Sequence, residues 1–565
     1  MASNLGTARQ SQLVTTYGVG ALIPVGDQSF MLCGLDSWEA DRAQDVNEER
    51  LARSLRVWGF KAPPATGRRD MPVTRFPLMH YCPGCRRLGM PRDFGASVSE
   101  MTCRACDREL TPSRFVACCE RGHIEDFPYF RWVHRDQEPQ GDTHELFLRT
   151  RGESSALTDI EISCSCGVRP VSMQGSFDRQ ALTGVAWCHG RRPWLLGADD
   201  QACDRPLRTL QRGSSNVWFG LTRSAISIPP WSGPTARFVD KHWDVLRLMD
   251  GPELGAMVER LASELRLDAA GVLALVNRRK GLQAQVEPTE SELRADEYEA
   301  LCRGNDVAGS DNSQCADVEV ATRVADLVAQ VSRVSRLREV RALLGFSRVS
   351  PVEAGAESVA ALSEEGVGWL PAIEVLGEGV FLRLHEDVVQ RWERLPTTRD
   401  RVALLHAAQT RLDDEYHRPP SIPVSARFVA LHSLAHLVLQ EMSLDAGYPA
   451  GSLRERVYAA EGQGGFLIYT ASSDSAGSLG GLATLADSDR LAEVLERAVD
   501  HARWCSADPV CAESGPSGAD GLNLAACHAC MLLPETSCEE RNLFLDRVAI
   551  VGEQSGTSGG LIEGR

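Results

Sequence analysis

Residues 81–106 read YCPGCRRLGMPRDFGASVSEMTCRAC. Cys82 and Cys85 form one CxxC knuckle, Cys103 and Cys106 a second, and seventeen residues separate the two. Paired knuckles at this distance let four thiolates meet tetrahedrally around one zinc ion, with the intervening residues as the body of a ribbon. The stretch therefore points to small β domains pinned by metal.

Two further cysteine groups extend that reading. Cys164 and Cys166 form a CxC knuckle in ISCSCG, followed by Cys188 and Cys203, and these four could close a second site with His189 as a substitute ligand. Near the C-terminus Cys505, Cys511, Cys527, Cys530 and Cys538 offer five candidates for four places. The favoured set is Cys511, Cys527, Cys530 and Cys538, with Cys505 or His528 as the spare. Two to three Zn2+ per chain are expected. A four-thiolate shell leaves no open position for substrate, so the sites read as structural.

The chain has 565 residues, 43% of them hydrophobic and 24% charged, which is ordinary globular composition. No apolar leader and no run of 18 apolar residues is present, so a cytoplasmic protein without a membrane span is expected. In a reducing compartment clustered cysteines point to metal, not to disulfides. The 77 acidic against 60 basic side chains give a net charge of -17. A surface of that sign repels phosphate backbones, so any nucleic-acid contact must be a local patch or come from a partner.

The fold class expected is mixed α+β and multidomain: zinc-ribbon-like β modules in the N-terminal half, a helical insert, and a C-terminal α/β domain with a zinc cluster. The regions are 1–75, an N-terminal β/α unit; 76–235, a β region with two cysteine clusters; 236–400, mainly helical; 401–554, α/β; and 555–565, a linker-like tail outside the fold. Within them, 12–35 reads as short strands, 45–56 as helical, and 317–344 as a helix on the spacing of Val320, Val324, Leu327, Val331 and Val334. Residues 401–412 and 426–444 read as helices and 465–470 as a strand.

Other constellations carry residue types that can do chemistry. His123, Asp126 and His134 bring together types that could ligate a metal or do acid-base work, the alternative being a metal-dependent nuclease or phosphohydrolase. His432 and His436 stand at i and i+4 in HSLAHLVLQE, but Ser433 occupies the position where HExxH has its glutamate, and the leucines around them favour a core helix. The Gly/Ser-rich segment 472–481 has no lysine, and no phosphate-binding GxxxxGK[ST] occurs anywhere. Arg205, Arg208, Arg212 and Arg223 interleave with Trp218 and make the first candidate for nucleic-acid contact, by phosphate pairing and base stacking.

Four stretches together resemble the DrmB family of the bacterial DISARM anti-phage systems: QLVTTYGVGALIPVGDQSFMLCGLDSW, ACCERGHIEDFPYFRWVH, LRTLQRGSSNVWF and LNLAACHACMLLPETSCEERNLFLDR. The last third is also similar to the domain attached to zinc-containing superfamily 2 helicases. In those, a cysteine cluster precedes an N-x-x-LD signature, here Asn542, Leu545 and Asp546. The resemblance implies Cys511, Cys527, Cys530 and Cys538 as ligands. It also implies a non-catalytic accessory subunit forming a heterodimer with the helicase DrmA, which supplies the ATPase, and engagement of phage DNA at ends or single-stranded overhangs.

Overall fold

A computed structural model describes residues 8–562 except 65–70, 98–99, 152–155, 229–233, 265–266, 284–287, 305–312, 352–357, 416–418, 471–480, 514 and 554–558. The glycine-rich segment 472–481 therefore lies, but for Gly481, outside the described residues. The architecture is mixed α+β. Two compact units interleave along the chain: 1–47, 57–224 and 341–373 form one, and 48–56, 225–340 and 374–565 the other. These boundaries cut across the consecutive regions read from the sequence. No helix among the described residues is long and apolar enough to cross a membrane.

The first unit is a set of small sheets. Leu22–Val25 and Gln28–Leu32 form a hairpin extended by Val73–Arg75. The strand expected around Leu13 is instead the short helix Gln12–Thr15. A six-stranded sheet runs Thr111–Pro112, His80–Tyr81, Arg87–Gly89, Leu146–Thr150, Ile160–Cys164 and Val171–Ser172. A three-stranded sheet places Phe115–Cys118 between Ile124–Asp126 and Arg208–Gln211. Phe115, Phe127, Tyr129 and Trp132 fill the shared core. The segment read as helical at 45–56 divides between units: Asp45–Val46 is a strand here, paired with Gly59–Lys61, and Glu49–Ser54 is a helix of the second unit.

The second unit packs helices on a sheet ordered Phe219–Ile226, Val328–Ser347, Trp369–Leu384, Gly465–Thr470, Leu453–Tyr458, with Gln314–Val318 paired antiparallel to Val328–Ser347; residues 219–224, 341–347 and 369–373 of these strands are assigned to the first unit. The strand Val328–Ser347 corrects the helix expected at 317–344. Val328, Val331, Ser332, Val334 and Leu337 are all buried, so both faces of this strand are covered and the alternation that marks a half-buried strand is missing. β-Branched valines favour extended backbone, and their three-residue spacing mimics a helical stripe.

The sheet backs onto Ala426–Ala446, a helix capped by the Ser425 hydroxyl, which accepts the Phe428 N–H, and stopped by Gly447 in the left-handed region. It is buried nearly all round, as a central helix is. Ser488–Ala502 packs against it through Leu491, Val494, Leu495, Ala498 and Val499. The tail also belongs to the fold: Leu561 and Ile562 are buried in this core, and their N–H groups donate to the Ala549 and Ile550 carbonyls. Leu561 and Ile562 thus pack on the fold where the sequence reading set a tail outside it, while 555–558 and 563–565 lie outside the described residues.

Candidate metal centres

In the first centre, the hairpin of His80–Tyr81 and Arg87–Gly89 carries Cys82 and Cys85 in its turn; that of Thr102–Cys103 and Arg108–Glu109 carries Cys103 and Cys106. Arg86 and Asp107, each following a knuckle, adopt positive φ and donate their N–H to the Cys82 and Cys103 carbonyls. The Sγ atoms lie 3.7 Å apart for Cys82–Cys106, 4.0 Å for Cys85–Cys103 and 3.6 Å for Cys103–Cys106. Tetrahedral zinc with Zn–S of about 2.3 Å places its sulfurs about 3.8 Å apart, so the residues fit the ion. A Cβ on Gly84 would sit 2.9 Å from that of Cys106, and only glycine lets the knuckles close.

The second centre is Cys119, His123, Cys188 and Cys203. The register of the Phe115–Cys118 hairpin, with Cys118 opposite Ile124, sets Cys119 opposite His123. His123 Nδ1 is 3.3 Å from Cys119 Sγ and 3.5 Å from Cys188 Sγ, while its Nε2–H donates to Gln201 Oε1 at 3.0 Å. That outer hydrogen bond fixes the ring as a ligand's partner does. Hydrogen bonding from Cys188, and then from His123, outweighs burial and holds the Cys119 thiol down to about 4, the thiolate a metal needs. His189 is no ligand: its N–H and Nδ1 both reach the Glu125 carboxylate at 2.6 Å.

Cys164 and Cys166 separate from Cys188 and Cys203 and join His134 and His144 in a third centre. Leu146 pairs with Cys164, so continuing the register sets His144 opposite Cys166. His144 Nδ1 lies 3.4 Å from Cys164 Sγ, and His134 Nε2 lies 3.3 Å from Cys166 Sγ. The outer nitrogens donate to carbonyls, His134 to Phe130 and His144 to Gly141. The Gln140 N–H and, against burial, His134 hold the Cys166 thiol down to about 5. The constellation His123, Asp126 and His134 is thus dispersed: the histidines serve different centres, and the Asp126 carboxylate accepts the Leu78 and Met79 N–H groups.

In the second unit Cys505 joins Cys511, Cys527 and Cys530, with Sγ separations of 3.6 Å for Cys505–Cys527, 3.8 Å for Cys511–Cys530 and 3.7 Å for Cys527–Cys530. Cys538 is placed elsewhere, with His432, His436 and Glu455. The favoured set is corrected accordingly. The loop geometry accounts for it: Asn542 Oδ1 and Nδ2 bond Leu533 in both directions, and the Glu455 N–H donates to Ser537, which draws Cys538 to the strand Leu453–Tyr458. Cys33, Cys118, Cys302 and Cys315 stand outside all five groups, and burial raises the pKa of each.

The arginine stretch is folded into the first unit. Arg208 lies on the strand Arg208–Gln211 and is part-exposed, as are Arg205, which pairs with Asp204, and Arg223 on Phe219–Ile226. Arg212 is part-exposed in the same degree. Trp218 stacks on Phe346 and donates its indole N–H to the Val19 carbonyl, which commits the ring to packing in place of the base stacking expected of it.

Cysteine and histidine groups with zinc-ligand geometry, spread over a mixed α+β fold, define a protein of the zinc-binding class. Residues 434–531 match the family model described as the MrfA Zn-binding domain. That span includes Cys505, Cys511, Cys527 and Cys530 and ends before Cys538. Residues 9–219 match a model described as a domain of unknown function (DUF8724). The chain is similar to the DISARM protein DrmB of Bacillus paralicheniformis, with 29% identity over 551 residues, 93% of this chain and 97% of that protein. The resemblance to DrmB read from the sequence is borne out along nearly its whole length.

Proposed function

We propose that this chain is the DrmB-type accessory subunit of a DISARM anti-phage complex, a cytoplasmic, non-catalytic partner of a DrmA-like superfamily 2 helicase that helps the motor engage phage DNA at ends or single-stranded overhangs. The observation that carries the reading is the likeness to DrmB over 93% of the chain. The zinc-binding match and the Cys/His groups support it, as does a sequence without a phosphate-binding loop. Cys82/85/103/106, Cys119/His123/Cys188/Cys203, His134/His144/Cys164/Cys166 and Cys505/511/527/530 each hold a structural zinc. The ion's part is to fix these loops, since every position is filled by a protein ligand.

DNA contact is assigned to Arg205, Arg208, Arg212 and Arg223, as phosphate partners. The test is co-purification with the neighbouring DrmA-like helicase, then overhang binding by the complex and by each protein alone. A stable complex that binds more tightly than the motor is expected. Arg208→Ala with Arg212→Ala should weaken its binding and lower the salt slope by about 1.4 for a single strand, with zinc content unchanged. Absence of a complex would overturn the reading. A complex that binds DNA no better than the motor would leave a purely structural adaptor.

A further inference from the structure

We propose that His432, His436, Glu455 and Cys538 form a fifth, fully protein-enclosed metal site for a borderline divalent cation of the zinc type, distinct from the four-cysteine centre of the same unit. The four ligand atoms lie within 4.8 Å of one another, and all four residues are buried, three of them with at most 1% exposure. The helix Ala426–Ala446 supplies both histidines from one face, one turn apart. Glu455 comes from the strand Leu453–Tyr458 and Cys538 from the loop tied to it.

The hydrogen bonds orient these groups as ligands. His436 Nδ1 donates to the Met531 carbonyl at 2.9 Å, which leaves Nε2 of the neutral ring with a lone pair; that nitrogen faces Glu455 Oε1 at 3.3 Å. His432 Nε2 lies 2.8 Å from the same oxygen and 3.2 Å from Cys538 Sγ. The Asn542 N–H donates to that sulfur at 3.2 Å, a contact suited to a thiolate. Glu455 Oε2 is buried without a hydrogen-bond partner among the described residues. A proton on His432 Nε2 would satisfy the Glu455 Oε1 contact alone, whereas a cation between the four groups meets all their lone pairs in a space closed to water. One divalent ion balances the carboxylate and the thiolate to zero net charge, which removes the cost of burying either alone. Two nitrogens, one oxygen and one sulfur at tetrahedral count suit zinc above the hard cations. His432 Nδ1 is without a hydrogen-bond partner among the described residues, with or without the ion, and does not bear on the choice.

With four protein ligands the ion would clamp helix, strand and loop, and the N-x-x-LD signature would act through it: Asn542 steadies the thiolate, and the Asp546 N–H donates to the hydroxyl of Ser433, beside His432. The test uses the full chain purified without a histidine tag. Anomalous diffraction at the zinc edge should show a peak between His432, His436 and Cys538. Metal analysis of Cys538→Ser and Glu455→Gln variants that keep the wild-type circular dichroism should show the loss of one zinc equivalent per chain. Peaks at the Cys82 and Cys505 groups with none at His432 would overturn the proposal, whether or not the variants fold. A folded variant with unchanged zinc content would also overturn it.

Discussion

Arg348 shows how single side chains organise the first unit. Fully buried, it donates to the carbonyls of Gly122 at 2.8 Å, Val217 at 2.5 Å and Gly20 at 2.8 Å, and its guanidinium lies over the Phe346 and Trp194 rings. Burial brings its pKa down to about 10, so it stays charged at neutral pH. Arg348→Met would leave three buried carbonyls unpaired, and we expect a loss of about 3 kcal/mol, read by urea unfolding of the full chain. A change below 0.5 kcal/mol would show that the carbonyls find other partners. Because Gly122 belongs to the loop between Cys119 and His123, the variant should also release the second centre's zinc more readily to a chelator. None of this was legible in the sequence, where Arg348 is one arginine among many. His123, His134 and His144 were harder to place than the cysteines for a related reason. CxxC spacing is a local signal, whereas these histidines reach their partners through strand register, which follows only once the pairings are known.

At the scale of the element, the ribbon at 80–112 has, among the described residues, a small core of Cys82, Phe94, Met101, Cys103 and Leu110 with Cys85, Ala96 and Cys106 packed against it. So few side chains do not offset the entropy of ordering the segment, whereas a structural zinc contributes an apparent ~10–16 kcal/mol. Chelation should therefore open this ribbon first, and limited proteolysis with fragment mass mapping should find its earliest new cuts between Cys82 and Cys106. Cuts appearing first in Ala426–Ala446 would refute that order. Gly190 is the matching backbone device of the second centre: a Cβ there would stand 1.7 Å from the Gln201 carbonyl oxygen. Gly190→Ala should separate Cys188 from Cys203 and lose one zinc equivalent, whereas Gly26→Ala, with open space around it, should retain full metal content. The elements legible in the sequence were those with unambiguous periodicity or caps, such as Pro396–Glu415, Ala426–Ala446 and Gly465–Thr470. Val328–Ser347 was not legible, because a strand covered on both faces gives no alternation to read.

For the whole molecule, the net charge of -17 coexists with an interior rich in arginine–carboxylate pairs. Arg456 and Glu297 are both fully buried and joined at 2.7 Å; Arg401 meets Asp546 of the N-x-x-LD signature at 2.7 Å. Such pairs favour one arrangement over others more than they add stability, because removing either partner leaves a buried charge. Glu297→Gln should cost about 3 kcal/mol in denaturant unfolding, while a surface change such as Arg391→Gln should be near neutral, since exposed pairs contribute little. The chain's interleaving has a further consequence during translation. Cys82 and Cys106 lie 24 residues apart and can be clasped by metal as soon as both have left the ribosome. Gly59–Lys61 waits for Trp369–Pro371, its parallel partner. The nascent chain thus carries an unpaired strand edge through the synthesis of about three hundred residues, and an expressed fragment that stops short of 341–373 would keep that edge open for good.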